Sequence, residues 1–274
     1  MNLYIELLRP YNGILAVLGI IIGAIVGSVF ASAAFPIVLA IIVAFLVNGA
    51  GNTINDYFDY NIDKINRPKR PIPSGRIKRK TVLNYFLLII AVSLILSYFV
   101  SIYFLYIALL NSAVSFLYSW KLKGAPLVGN IAVSWLAAST FLAGALIAHT
   151  FYSLPPSVLI LAAIAFFGTL SREIFKDIED VKGDRTAKIK TLPIVIGEKK
   201  ATLVASAALI LGILSLLAPV YKNLFSYFYY VGMIPAVLVC LYALAKMKAA
   251  RKAQKLIKIA MYFVFLGFVL GMLL

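Results

Sequence analysis

Long apolar stretches alternate with short polar joints along the whole chain. Runs such as Gly13–Phe30 and Leu87–Leu110 go well beyond what a buried core helix uses. About 18 apolar residues in succession suffice to cross a bilayer. The pattern predicts spans over 11–30, 35–55, 82–100, 103–120, 127–148, 155–176, 201–219, 227–245 and 256–274. Each covers about 30 Å at roughly 1.5 Å per helical residue. The expected fold is therefore all-α: a polytopic membrane protein of about nine transmembrane helices, forming a single domain over 1–274.

The joints alternate in length. Short ones fall near Ser32, Ser101, His149 and Asn223, and long ones over 56–81, 121–126, 177–200 and 246–255. Composition sharpens the picture. The chain is 63% hydrophobic and only 13% charged, with mean hydropathy +0.98, whereas a soluble domain is about a quarter charged. Ala31–Ala34 resemble a signal-cleavage site, but the apolar run before them is longer than a signal peptide uses, and the topology needs it as the first span. The lone Cys240 excludes an intrachain disulfide and reads as a packing residue.

Charge decides orientation. Of the 26 Lys and Arg, all but Lys222 fall on one side of the predicted topology. Basic loops stay cytoplasmic, which places the amino terminus inside and, with an odd number of spans, the carboxyl terminus outside. The net charge of +16 needs no nucleic-acid partner, because basic loops against an anionic leaflet account for it.

The acids carry the chemistry. The chain holds only 10 Asp and Glu, and eight lie in two stretches. The first is Asn52-Thr-Ile-Asn55-Asp56-Tyr-Phe-Asp59-Tyr-Asn-Ile-Asp63; the second is Glu173-Ile-Phe-Lys176-Asp177-Ile-Glu179-Asp180-Val-Lys-Gly-Asp184. Aspartates recur at spacing three then four in both, which stacks them along one helix face. Each row stands at the cytoplasmic end of a span, the second and the sixth. Like charges at that spacing repel, and carboxylates at a helix C-terminus oppose the dipole, so simple capping does not account for them. A hard divalent cation with oxygen ligands does, and Mg²⁺ in particular takes one or two carboxylates plus substrate phosphate oxygens. Arg67, Lys69 and Arg70 follow the first stretch; Lys121 and Lys123 lie in the next cytoplasmic loop; Arg172, Lys176, Lys182 and Arg185 interleave with the second. Acids for metal and bases for phosphate on one face describe a diphosphate site. Pro68, Pro71 and Pro73 end the first acidic helix. His149 reads as an interfacial polar residue. Tyr57, Phe58 and Tyr118 could line an apolar substrate pocket, though packing explains each as well.

At these residues the chain resembles the UbiA superfamily of intramembrane prenyltransferases. Asn55-Asp56-x-x-Asp59-x-x-x-Asp63 is similar to its first motif, and Asp180-x-x-x-Asp184, preceded by Asp177, to its second. Tyr118-Ser-Trp-Lys121-Leu-Lys123-Gly124 and Thr191-Leu-Pro193 are further points of likeness. The resemblance implies a helical bundle around a lipid-accessible cavity. It implies that Asn55, Asp56, Asp59, Asp63, Asp177, Asp180 and Asp184 bind Mg²⁺, with Asp59, Asp63, Asp180 and Asp184 catalytic. Asn52, Arg9, Arg67, Arg70, Tyr118, Lys121, Arg172 and Lys176 would bind a prenyl diphosphate and a lipid acceptor. The run Asn66-Arg67-Pro68-Lys69-Arg70-Pro71-Ile72-Pro73-Ser74-Gly75-Arg76 is most similar to the archaeal-type digeranylgeranylglyceryl phosphate synthases. That likeness implies geranylgeranyl transfer to the hydroxyl of geranylgeranylglyceryl phosphate. An aromatic acceptor of the quinone pathways is the alternative within the superfamily. From other classes, a cation transporter would place its acids nearer the bilayer midplane on broken helices, and a CDP-alcohol phosphotransferase would carry Asp-Gly and Ala-Arg elements before its aspartates, where this chain has neither.

Overall fold

The computed structural model describes residues 2–29, 34–186, 189–221 and 224–273. The joints at Ser32 and Asn223, together with Lys222, lie outside these residues. Every regular element among the described residues is helical. Seven helices are long and apolar enough to cross a membrane, and two shorter apolar helices, Gly13–Val26 and Tyr229–Ala245, occupy the remaining predicted spans. The chain divides into two compact units, Met1–Leu122 with Ser139–Val158, and Lys123–Ala138 with Leu159–Leu274.

The first unit begins with the short helix α1 (Leu3–Leu8), capped by Asn2, whose side chain accepts from the Tyr4 N–H at 3.0 Å. Arg9 then adopts a left-handed conformation (φ 50°) and Pro10 opens α2 (Pro10–Val26), where its fixed φ and missing N–H cost nothing. Next come α3 (Ala34–Phe58) and α4 (Tyr60–Asn66), then α5 (Arg79–Val100) and α6 (Ile102–Trp120). Extended Ser101 separates the last two; its side chain caps α6 at Phe104 N and donates to the Leu146 carbonyl at 2.6 Å. α3 packs on α2, α5 and α6. The buried positions of α5 are Val82, Phe86, Ile89, Ser93, Ser97 and Val100, at the three-to-four spacing of one helix face. Leu87, Leu88, Ile95, Tyr98 and Phe99 point outward, as lipid solvation permits. The buried serines satisfy themselves on their own helix: Ser93 donates to the Ile89 carbonyl and Ser97 to that of Ser93, both at 2.7 Å.

α7 (Val128–Ala145) begins in the second unit and ends in the first. Its far end lies directly on α2. A Cβ added to Gly144 would stand 2.2 Å from the Ile20 carbonyl oxygen and 2.7 Å from Ala24 N, both backbone atoms. Small residues admit such close approach in membrane helices. Gly144→Ala is expected to push the helices apart and lower stability by about 1–3 kcal/mol. Thermal unfolding in detergent reads this directly.

The second unit holds α8 (Pro156–Thr186), α9 (Leu192–Ile196), α10 (Glu198–Tyr221), α11 (Tyr229–Ala245) and α12 (Ala250–Leu273). At 31 residues, α8 is about 46 Å long, longer than the hydrocarbon layer, so its acidic last turns extend past its apolar portion. α11 and α12 also pack closely, with Gly232 against the Phe263 carbonyl and Gly267.

Candidate active site

The first acidic stretch does not form one unbroken helix. α3 stops at Phe58 and α4 starts at Tyr60, with Asp59 between them at φ −76°, ψ 2°. The hydrogen-bond ladder still runs through the joint, from Asp59 N to the Asn55 carbonyl at 2.9 Å and from Asp63 N to that of Asp59 at 2.8 Å. The row therefore keeps its face through Asp59. There the carboxylate accepts from the Asn55 amide at 2.9 Å.

Asp56, Asp59 and Asp63 are all buried. Buried carboxylates need partners, and two distant arginines supply them. Arg9 pairs with Asp56, while one Arg70 nitrogen reaches Asp63 at 2.5 Å and Asp56 at 3.1 Å. Asn52 donates to the Leu8 carbonyl at 3.1 Å, tying the end of α1, and so Arg9, to α3. Arg67 stands exposed at the end of α4. Tyr118 is half-buried on α6, and Lys121 lies 4.4 Å over the Trp120 ring. Tyr57 and Phe58 pack edge to face, and Phe58 again on Phe116.

The proline-rich loop is pinned from the other side. Arg76 grips both Glu6 oxygens at 2.8 Å and donates to the Lys69 carbonyl at 2.7 Å. The hydrogen bonds from Arg76, with its charge, hold the Glu6 carboxyl below its ordinary value. A lowered folded pKa contributes stability that is complete above the ordinary value of 4.5 and is lost as pH falls through the folded value. The melting difference between wild type and Glu6→Gln is thus expected at neutral pH and should vanish in acid; a pH series of melting curves checks it.

In the second unit, α8 carries Glu173, Asp177, Asp180 and Asp184. Asp177 accepts from the Asn130 amide of α7 at 2.8 Å. Asn130 is itself buried, and neither motif nor spacing marks it in the sequence. Asp184 accepts from the Thr191 hydroxyl at 3.2 Å, which gives the Thr191-Leu-Pro193 turn a local purpose. Asp180 is exposed. Arg172 pairs with its neighbour Glu173, and Lys176 approaches the same carboxylate at 3.9 Å. Glu179 belongs to the stretch by position only: Arg251 at 2.7 Å and Gln254 at 3.1 Å bind it to α12.

Among the described residues no three His, Cys, Asp or Glu side chains converge as a ready metal cage. Mg²⁺ takes few carboxylates and completes its coordination with water and phosphate oxygens. The oxygen-only donors of the two stretches fit such a hard ion.

Known proteins place this architecture. Over 98% of its length the chain is 40% identical to a digeranylgeranylglyceryl phosphate synthase of Pyrococcus furiosus, 97% of which is covered. It is also 40% identical to the enzyme of that name from Methanopyrus kandleri, with both chains covered completely. A solved structure described as digeranylgeranylglyceryl phosphate synthase in membranes superposes with TM-score 0.86 at 34% identity, covering 98% of this chain and 97% of that one. A UbiA homologue from Archaeoglobus fulgidus, solved with GPP and Mg²⁺, shares the fold at TM-score 0.72 and 20% identity, covering 98% and 99%. The family model described as "UbiA prenyltransferase family" matches residues 16–269, and this chain, an integral membrane protein, belongs to that family.

Proposed function

We propose that this chain transfers a geranylgeranyl group from geranylgeranyl diphosphate to the free hydroxyl of geranylgeranylglyceryl phosphate, with Mg²⁺, releasing diphosphate. The full-length identity to relatives named for that reaction carries the choice of acceptor. The buried row Asp56, Asp59 and Asp63, set among Arg9 and Arg70, carries the chemistry. The two units act as one prenyltransferase domain over 1–274, as the family match across both of them supports.

Asn55, Asp56, Asp59 and Asp63 of the first stretch would hold metal, as would Asp177, Asp180 and Asp184 of the second. Mg²⁺ bound there supplies Lewis-acid neutralisation of charge on the departing diphosphate. Asn52, Arg9, Arg67, Arg70, Tyr118, Lys121, Arg172 and Lys176 bind and orient substrate, the cations among them meeting phosphate oxygens. The allylic carbon–oxygen bond breaks with its electron pair going to diphosphate. The acceptor hydroxyl oxygen bonds to the allylic carbon, and its proton passes to a carboxylate of the aspartate rows. Apolar walls keep water from taking the acceptor's place. The concentration of Lys and Arg in one set of loops supports placing the amino terminus and both acidic stretches at the cytoplasmic face, with the carboxyl terminus outside.

The test offers purified, detergent-solubilised protein labelled geranylgeranyl diphosphate and either geranylgeranylglyceryl phosphate or 4-hydroxybenzoate. Transfer to the glyceryl phosphate is expected. Transfer only to the phenol would move the chain to the aromatic branch of its family.

A further inference from the structure

An open cavity of about 400 Å³ lies along the proline-rich loop, lined by Glu6, Asn66, Arg67, Pro68, Lys69 and Arg70. Its charges do not balance. Both Glu6 oxygens are taken by Arg76, so that carboxylate offers the cavity no free negative charge. Arg70 is held toward the aspartate row, and so toward the diphosphate site, by Asp56 and Asp63. Arg67 and Lys69 remain: both are exposed, and neither has a carboxylate partner among the described residues. Two uncompensated cations beside the Asn66 amide suit a phosphomonoester dianion.

The cavity also adjoins the acids. Arg70, one of its walls, grips Asp63 and Asp56, and the Arg67 N–H donates to the Asp63 carbonyl at 2.8 Å. In the proposed acceptor, the reacting hydroxyl and the phosphate ester sit on adjacent glycerol carbons. A phosphate seated about one helical turn beyond the aspartate row would therefore bring that hydroxyl toward the row. We infer that the cavity bounded by Arg67 and Lys69 is the seat of the acceptor's phosphate, distinct from the diphosphate site at the aspartates, and that Lys69 is a specificity residue for phosphorylated acceptors. This rests on the acceptor assignment made above. The Arg76 grip on Glu6 and on the Lys69 carbonyl holds the loop so that both cations line the cavity.

The experiment compares geranylgeranylglyceryl phosphate with its dephosphorylated counterpart, in neutral detergent and again with anionic lipid added, for wild type, Lys69→Ala and Arg67→Ala. Lys69→Ala should raise KM for the phosphorylated acceptor about tenfold, the worth of one charged hydrogen bond. It should leave the donor KM and the rate with dephosphorylated acceptor in place. Arg67→Ala should show the same loss and also raise the donor KM. The water-soluble sn-glycerol 1-phosphate, used as a competitor, should inhibit wild type and lose about tenfold in potency against Lys69→Ala. Wild type that strongly prefers the phosphorylated acceptor, with the preference intact in both variants, would overturn the cavity assignment and leave the function standing. Wild type that ignores both glyceryl acceptors would overturn the function, and the cavity assignment with it. An effect present only when anionic lipid is added would give these cations to the membrane surface and overturn the assignment.

Discussion

Asp180→Ala should reduce prenyl transfer more than about a hundredfold, a loss at or beyond the upper end for residues that merely support a metal ligand, while leaving the melting temperature where it was. Asp180 makes the cleanest test of the second stretch because its side chain is exposed on α8. Exposed substitutions away from special features usually shift stability by no more than about 0.5 kcal/mol. An exposed carboxylate beside other carboxylates is unfavourable by itself, and a bound cation offsets that repulsion. Its partners in the row are less clean. Asp177 is tied to Asn130 and Asp184 to Thr191, so replacing either disturbs packing as well as chemistry. Steady-state rates with geranylgeranyl diphosphate and Mg²⁺, set beside melting curves, separate the two effects. Wild-type rates in Asp180→Ala would remove the second stretch from the reaction.

Arg70→Ala should have the largest effect on stability. Among the described residues Arg70 alone bridges Asp56 and Asp63, whose side chains are 5% and 6% exposed. Taking away one partner of a buried pair strands the other charge and costs about 3–5 kcal/mol. Arg9 remains with Asp56, so the stranded group is Asp63. Asp63→Asn in the Arg70→Ala background should then restore part of the lost stability, because the amide carries no charge to strand. A double-mutant cycle on the melting temperature measures that coupling. Additive losses would mean that the pair contributes nothing to holding α4 and the proline-rich loop on α3.

The apolar spans were legible because membrane-crossing segments are long and their composition leaves few alternatives. The paired aspartate rows were legible because so few other acids occur in the chain. What pattern alone could not show is pairing across long separations. Arg9 and Asp56 are 47 positions apart, and so are Asn130 and Asp177. Arg9 and Arg70 were expected to meet phosphate, and the fold shows them first as the counter-charges of the aspartate row. Asn130 sits in an apolar helix where nothing distinguishes it from a packing residue. The break at Asp59 was hidden as well, since a single residue with ψ near zero leaves the three-to-four spacing unchanged. Glu179 shows the opposite error of position: it lies inside an acidic stretch, yet it serves to join α8 to α12.

The proposed reaction is a metal-dependent exchange of a carbon–oxygen bond in a diphosphate for one in an ether. The most direct measurement incubates purified protein with geranylgeranyl diphosphate and geranylgeranylglyceryl phosphate and counts both products, with Mg²⁺ and after chelation. The account predicts one diphosphate released for each diether formed, and neither product in the chelated sample. Diether formation undiminished without divalent metal, or no diphosphate release with it, would contradict the account.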